Sequence, residues 1–348
     1  MKVQRQPAAW VIPLALAISP APSPAAADGP AASIEVQPGR EIVFRAGPEV
    51  VTRYHIAPTL AKPFFWPLNA PGGLALTRPW PMEKVPGEDE DHVHQKSAWF
   101  CHGDVIPEGI PLKHQIKGVE GLDFWSESPG HGHIVCTHVG RTHQEGGHAW
   151  VDTANEWRTA DGDKVLDESR TIHLYDLGTA RLLVLDFDLC ASTFPVTFGD
   201  TKEGALGVRV RTAMTEKKGK GRITNAEGKT GEGRLNNVEK KGCWGLISAW
   251  CDYSGPAGDT TAGLALVADP ANPYPTAWHS RGYGLMAANP FGRARSGFPD
   301  LRGQTRLVRL AKGEHLKLRY GLLLHTGDVR QGAVASYYER FVKLGSKP

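Results

Sequence analysis

The chain predicts a mainly β protein, a large antiparallel β-sandwich with one C-terminal helix, and three observations lead there. Apolar residues recur at every second position in two long runs. Leu183, Leu185, Phe187 and Leu189 alternate with Asp186 and Asp188, and Leu316, Leu318, Tyr320 and Leu322 alternate with Lys317 and Arg319. The 348 residues include 40 glycines and 26 prolines, an excess that points to many turns rather than long helices. A helical period shows at the end, where Ala333, Val334, Tyr337, Tyr338, Phe341 and Val342 recur every three or four residues between Val329 and Leu344. Asp328 is placed to cap that helix.

The elements follow in chain order. Lys2 and Arg5, the apolar stretch Trp10 to Ile18, and Ala25, Ala26 and Ala27 before Asp28 have the arrangement of a cleavable export signal. Residues 1–27 are therefore expected to be removed and the protein to be periplasmic or secreted. Residues 28–40 read as a leader, and 41–348 as a single β-sandwich domain. Besides the two long runs, strands are expected at 42–45, 50–56, 133–138, 147–153, 165–175, 196–199, 206–213, 222–225, 244–252, 262–268 and 305–311. Gly, Pro, Asn and Asp clusters separate them at hairpin spacing.

Charge excludes some classes of function. The 40 basic and 37 acidic residues nearly cancel, and loss of the signal brings them closer still, so the footprint of a nucleic-acid binder is missing. The run Lys217, Lys218, Lys220 and Arg222, interrupted by glycines, reads as a solvated hairpin tip. No stretch beyond the signal approaches the about 20 apolar residues of a spanning helix, so integral membrane association is not expected. Cys101, Cys136, Cys190, Cys243 and Cys251 are odd in number and lack CxxC spacing. As two ends of one strand, Cys243 and Cys251 would lie roughly 26 Å apart, too far for a disulfide.

Four segments carry polar chemistry. In DEDHVHQKSAWFCHGD (89–104), an extended chain would put His92 and His94 on one face about 6.5 to 7 Å apart, with Trp99, His102 and Asp104 following. Two imidazoles at that spacing can address one substrate, and with His102 they could hold a divalent metal; no HExxH-like pattern accompanies them. A second stretch carries His131, His133, His138, His143 and His148 in a Gly-rich setting that suggests loops and hairpin ends. FGDTKEG (198–204) packs Asp200, Lys202 and Glu203 between glycines, where a carboxylate beside a lysine can act as a base or anchor hydroxyls. The fourth region interleaves Trp250, Tyr253, Trp278, Tyr283 and Phe291 with Asp252, His279, Arg281 and Asn289. Flat rings beside carboxylate, guanidinium and amide groups suit a carbohydrate, and buried indoles are the structural alternative.

FFWPLNAPGG (64–73), DEDHVHQKSAWFCHGD (89–104), GLDFW (121–125), VTFGDTKEGALGVRV (196–210), WCDYSG (250–255), PTAWHSRGYGL (275–285) and AANPFG (287–292) together resemble the bacterial PmoA family, labelled "methane oxygenase PmoA". Its members usually read DHPHHR where this chain has Asp91, His92, Val93, His94, Gln95 and Lys96. A membrane-bound methane monooxygenase subunit would need many apolar spans, which this chain lacks. A more distant likeness, to galactose-mutarotase-type super-sandwiches, implies architecture alone.

These readings converge on an exported sugar-handling protein whose partner is a small carbohydrate and which needs no cofactor. If it is an acid–base enzyme, Glu203 or Asp200 would be the base and His92, His94 or His279 the acid. Arg281, Asn289, Asp104 and Asp252 would orient hydroxyls. Trp99 or Trp250 would stack on the ring, with His102, Lys202, Trp278 and Tyr283 completing the pocket. The alternatives are a non-catalytic carbohydrate-binding protein and a metal-dependent oxygenase or hydrolase using His92, His94 and His102.

Overall fold

The computed structural model describes residues 31–345, except 115, 236–237 and 240–241. The expected export signal at 1–27 lies outside the described residues. Among these, no helix is long and apolar enough to cross a membrane.

Two large antiparallel sheets pack face to face. One has nine strands, in the order Ala32–Gln37, Glu41–Ala46, Glu49–His55, Phe64–Ala70, Ala98–His102, Gly204–Arg209, Leu285–Asn289 and Ala277–Trp278, with Leu74–Ala75 paired to Phe64–Ala70. The other has eight, in the order Arg222–Asn225, Trp250–Ala257, Thr260–Ala268, His315–Thr326, Ala180–Cys190, Lys164–Asp176, His148–Arg158 and His133–Glu145. A small third sheet joins Val308–Leu310, Val196–Phe198 and Val105–Pro107. The sandwich expected from alternation is thus present, and its centre is where the two long runs pair, Leu183 with Leu322 and Leu185 with Tyr320.

Between the sheets, alternate residues interdigitate in one apolar core. Phe100 of one sheet stacks on Phe187 of the other with centroids 3.9 Å apart. A charge is embedded there: Arg170 donates from Nε to Glu168 Oε1 at 2.7 Å, and its guanidinium carbon lies 4.9 Å from the Phe187 ring centroid. Glu168 also accepts Trp157 Nε1 at 2.8 Å and Asn155 Nδ2 at 3.2 Å, so the buried carboxylate is fully engaged.

The structure departs from the sequence reading at several points. The segment read as a leader carries the strand Ala32–Gln37, whose Ile34 and Val36 alternate and which pairs with Glu41–Ala46. The expected strand at 244–252 starts only at Trp250, because Gly245 in the left-handed region (φ 71°) turns the chain. Cys243 and Cys251 are consequently neighbours, not the ends of one extended segment, and Cys243 Sγ donates to the Lys229 carbonyl at 3.2 Å; none of the five cysteines is bonded to another. His133–Glu145 and His148–Arg158 form a long hairpin, so the strands expected at 133–138 and 147–153 are present and extend through residues 139–145 and 154–158.

The helix is Val334–Leu344, with Ala333 at its start in a left-handed conformation. Asp328 closes the turn before it, accepting the backbone N–H groups of Arg330 and Gln331 at 2.9 Å. Val334 and Phe341 pack on Leu182, Val184, Val267 and Leu323, covering part of the outer face of the eight-stranded sheet.

Candidate functional site

Three neighbouring strands of the nine-stranded sheet, Ala98–His102, Gly204–Arg209 and Leu285–Asn289, place Trp99, Gly207 and Ala287 side by side. His279 joins this row from the next segment, exchanging two backbone hydrogen bonds with Ala287 at 2.9 and 3.1 Å. Glu203 immediately precedes the middle strand. Its backbone oxygen accepts Gly103 N at 2.7 Å, an approach that a side chain at 103 would obstruct, since a Cβ there would lie 2.9 Å from Glu203 Cβ.

The Glu203 carboxylate is the centre of the cluster. Oε2 lies 3.5 Å from His279 Nδ1, and Oε1 lies 3.0 Å from Lys202 Nζ. Burial pushes its pKa up, but His279 and the Lys202 ammonium pull harder, leaving it below the ordinary glutamate value. Burial lowers His279 to about 4 against the opposing pull of Glu203. Burial likewise lowers His94, aided by the Lys62 charge and His92, to about 4. At neutral pH the site therefore holds an ionised carboxylate with two neutral imidazoles. Each imidazole offers one N–H donor and one lone pair.

Beside them His92 and Tyr283 stack nearly parallel, with centroids 5.3 Å apart, and the His94 ring stands edge-on to His92 at 5.7 Å. Arg209 supports this pair from below, 4.6 Å from the Tyr283 centroid, donating to Gln95 Oε1 at 2.6 Å and Asp91 Oδ1 at 2.8 Å. Arg281 lies 5.5 Å from the same ring and is held by Glu232 at 3.0 Å. Next to His94, the buried Lys62 ammonium donates to Glu127 Oε1 at 2.8 Å and to the Trp125 carbonyl at 3.1 Å, and Lys96 also binds Glu127. His92, Ser97 and Glu127 all have positive φ, at 42°, 56° and 53°. Non-glycine residues in that region cost of order 1 kcal/mol or more each and concentrate where placement matters.

The structure thus brings together His92, His94, Lys202, Glu203, His279, Arg281 and Tyr283 among the residues proposed from sequence. It places the others in structural roles. Asp200 accepts the backbone N–H groups of Arg293 and Ser296 at 2.6 and 3.0 Å, fastening the turn at 293–296, so its oxygens are already occupied. Trp99 is fully buried, edge-on to Trp125 at 5.0 Å, and offers no open stacking face. His102 is buried with Nε2 2.8 Å from the Gly199 carbonyl oxygen, and Asp104 accepts Gly121 N at 2.7 Å. Trp278 donates Nε1 to the Ser248 carbonyl at 2.9 Å. Asn289 bridges Thr201 O and the N–H groups of Phe291 and Gly292 at 2.8 to 3.0 Å. Trp250 and Asp252 belong to the other sheet; Trp250 packs beside the helix, and Asp252 binds His325.

His102 contacts Phe198 and Phe291, whereas His92 contacts Tyr283 and His94, so the three imidazoles do not share a metal-binding point. Among the described residues no three His, Cys, Asp or Glu side chains are grouped to hold a metal ion. Sequence reasoning missed Lys62, Glu127 and Arg209. Arg209 was traceable, because a charged residue inside the strand GALGVR demands a buried partner; Lys62 and Glu127 carry no local signal.

A family of unknown function, DUF6807, matches residues 41–339. The chain belongs to that family. No curated protein matches it. Among solved structures it is similar to the GH36 alpha-galactosidase AgaB from Geobacillus stearothermophilus, with 9% identity and a TM-score of 0.41, over 85% of this chain and 41% of that one. The galactosidase domain of alpha-galactosidase-sucrose kinase, AgaSK, gives 8% identity and a TM-score of 0.41, over 85% and 42%. The DUF6807 chain thus spans about two fifths of the length of these neighbours.

Proposed function

We propose that the cluster around Glu203 binds a small polyhydroxylated, carbohydrate-like molecule and moves a proton on it. The observation that supports this is the meeting of an ionised carboxylate, two neutral imidazoles and a stacked ring pair, drawn from three distant segments. His94 is half-buried, reachable from solvent, and within electrostatic range of Glu203. As a neutral imidazole it accepts a proton, and Glu203 stabilises the imidazolium that results. This reverses the division of labour expected from sequence, in which histidine was the acid. His279, buried against Glu203, is a positioning residue; Lys202 and Arg281 donate to hydroxyls, and the His92–Tyr283 pair supplies apolar contact.

A thermal-shift screen against mono- and disaccharides, oxidised sugars included, tests binding, because a ligand selective for the native state raises the melting temperature. At least one sugar should do so in the wild type and fail to do so in Glu203→Gln and Tyr283→Ala. Proton transfer is read by exchange of a sugar C–H in D2O, which His94→Gln should abolish. Binding without exchange would make the protein a recognition module, and no shift with any sugar would refute the proposal.

A further inference from the structure

The outer face of the eight-stranded sheet carries a second polar surface that the Glu203 cluster does not use. Beside the C-terminal helix, strand register aligns Asp152, Thr171, Asp186 and Arg319 in one row across four strands. The adjacent row continues through Ser169, Asp188 and Lys317. Neighbouring strands are about 4.8 Å apart and same-face residues about 6.6 Å apart along a strand, so these groups form a flat grid of alternating acceptors and donors. The grid floors a groove of about 540 Å³. Along its side stand the Trp150 and His173 rings, centroids 6.4 Å apart, with His143 stacked on Trp150 at 4.9 Å.

Arg319 gives this groove its chemical direction. It is 6% exposed, yet its Nε and Nη1 have no hydrogen-bond acceptor. The Asp269 and Asp186 carboxylates lie 3.5 and 3.7 Å from Nε, close enough to balance the charge and too far to accept the proton. Buried donors left unmade are costly, and a small turn of the side chain toward the groove it lines would offer them to an acceptor there. Asp152, Asp186, Asp188 and Asp269 outnumber Lys317 and Arg319 in the lining, which disfavours a polyanion. The groove sets an aromatic flank, Trp150, beside a polar floor, an arrangement that suits a sugar ring stacked on an indole. A neutral sugar chain presents hydroxyls that both donate and accept, so it can answer carboxylates and the Lys317 ammonium alike.

We propose that this groove is a binding platform for a neutral oligosaccharide, separate from the Glu203 cluster and independent of its chemistry. The test is affinity electrophoresis of the full chain through gels containing dextran, xyloglucan or galactomannan, followed by calorimetry with a hexasaccharide of the polymer that retards it. At least one polymer should retard the wild type. The exposed-site double variant Asp188→Asn with Lys317→Met, and separately Arg319→Met, should weaken hexasaccharide binding at least tenfold, while Glu203→Gln leaves it unchanged. Circular dichroism checks that each variant is folded, and the double variant decides the matter should Arg319→Met not fold. The platform is overturned if no polymer retards the wild type, if the folded variants bind as tightly as the wild type, or if Glu203→Gln abolishes binding. That last result would leave the Glu203 site standing as the saccharide site.

Discussion

His325 Nε2 lies 2.9 Å from Asp252 Oδ1 on the outer face of the eight-stranded sheet, beneath the turn that leads into the helix, with both side chains shut off from solvent. Burial alone would lower this imidazole, but the Asp252 carboxylate and its hydrogen bond outweigh burial and raise the pKa above its ordinary value. The stabilisation is therefore complete below the unfolded value of about 6.5 and is lost as pH rises through the raised folded value. NMR titration of His325 should show an apparent pKa above 6.5 in the wild type. In Asp252→Asn the carboxylate is gone and the same resonance should titrate below 6.5.

Three other imidazoles work in the opposite sense. Burial holds His94, His102 and His279 at about 4. The unfolded chain then binds more protons than the native one between pH 6.5 and 4, so stability falls as pH drops through that window. One fully buried histidine contributes about 2 kcal/mol of this loss between pH 6.5 and 5. Urea midpoints at pH 7 and pH 5 should differ clearly in the wild type and less in His102→Gln.

The pair inside the core is sensitive to losing one member. Glu168→Gln leaves the Arg170 guanidinium buried without its countercharge, and breaking such a pair costs about 3–5 kcal/mol. Replacing both residues by methionine should restore much of the loss. Urea unfolding of the single and double variants measures both effects, and equal destabilisation would count against the buried-charge explanation.

Gly103→Ala links packing to the site. Its added Cβ would crowd Glu203 Cβ at 2.9 Å and Glu203 O at 3.0 Å, and crowding of this kind costs about 1–3 kcal/mol. The expected result is a lower melting temperature together with a reduced sugar-induced shift. An unaltered shift would mean that Glu203 does not depend on this approach.

Much of the architecture was legible because strand alternation is local. Leu183 to Leu189 and Leu316 to Leu322 announce the central pairing within a few residues each. What local pattern could not supply was the fate of polar groups in the same segments. Asp200 and Glu203 are three residues apart, yet one fastens a turn at 293–296 and the other faces His279. Trp99 looked like a stacking surface and is core, because Gly207 on the neighbouring strand leaves room for its indole: a Cβ there would lie 2.7 Å from the ring. Lys62 and Glu127 meet across 65 residues of sequence, a pairing that only the folded chain reveals.

The packing of the two sheets also separates what happens on their outer surfaces. The Glu203 cluster and the Arg319 groove look in opposite directions, with an interdigitated apolar partition roughly 10 Å thick between the backbones. A short molecule held on one side cannot touch the other, and substitutions on the two sides should combine additively. Each surface can therefore be silenced alone, and a polymer would have to wrap around the rim to engage both.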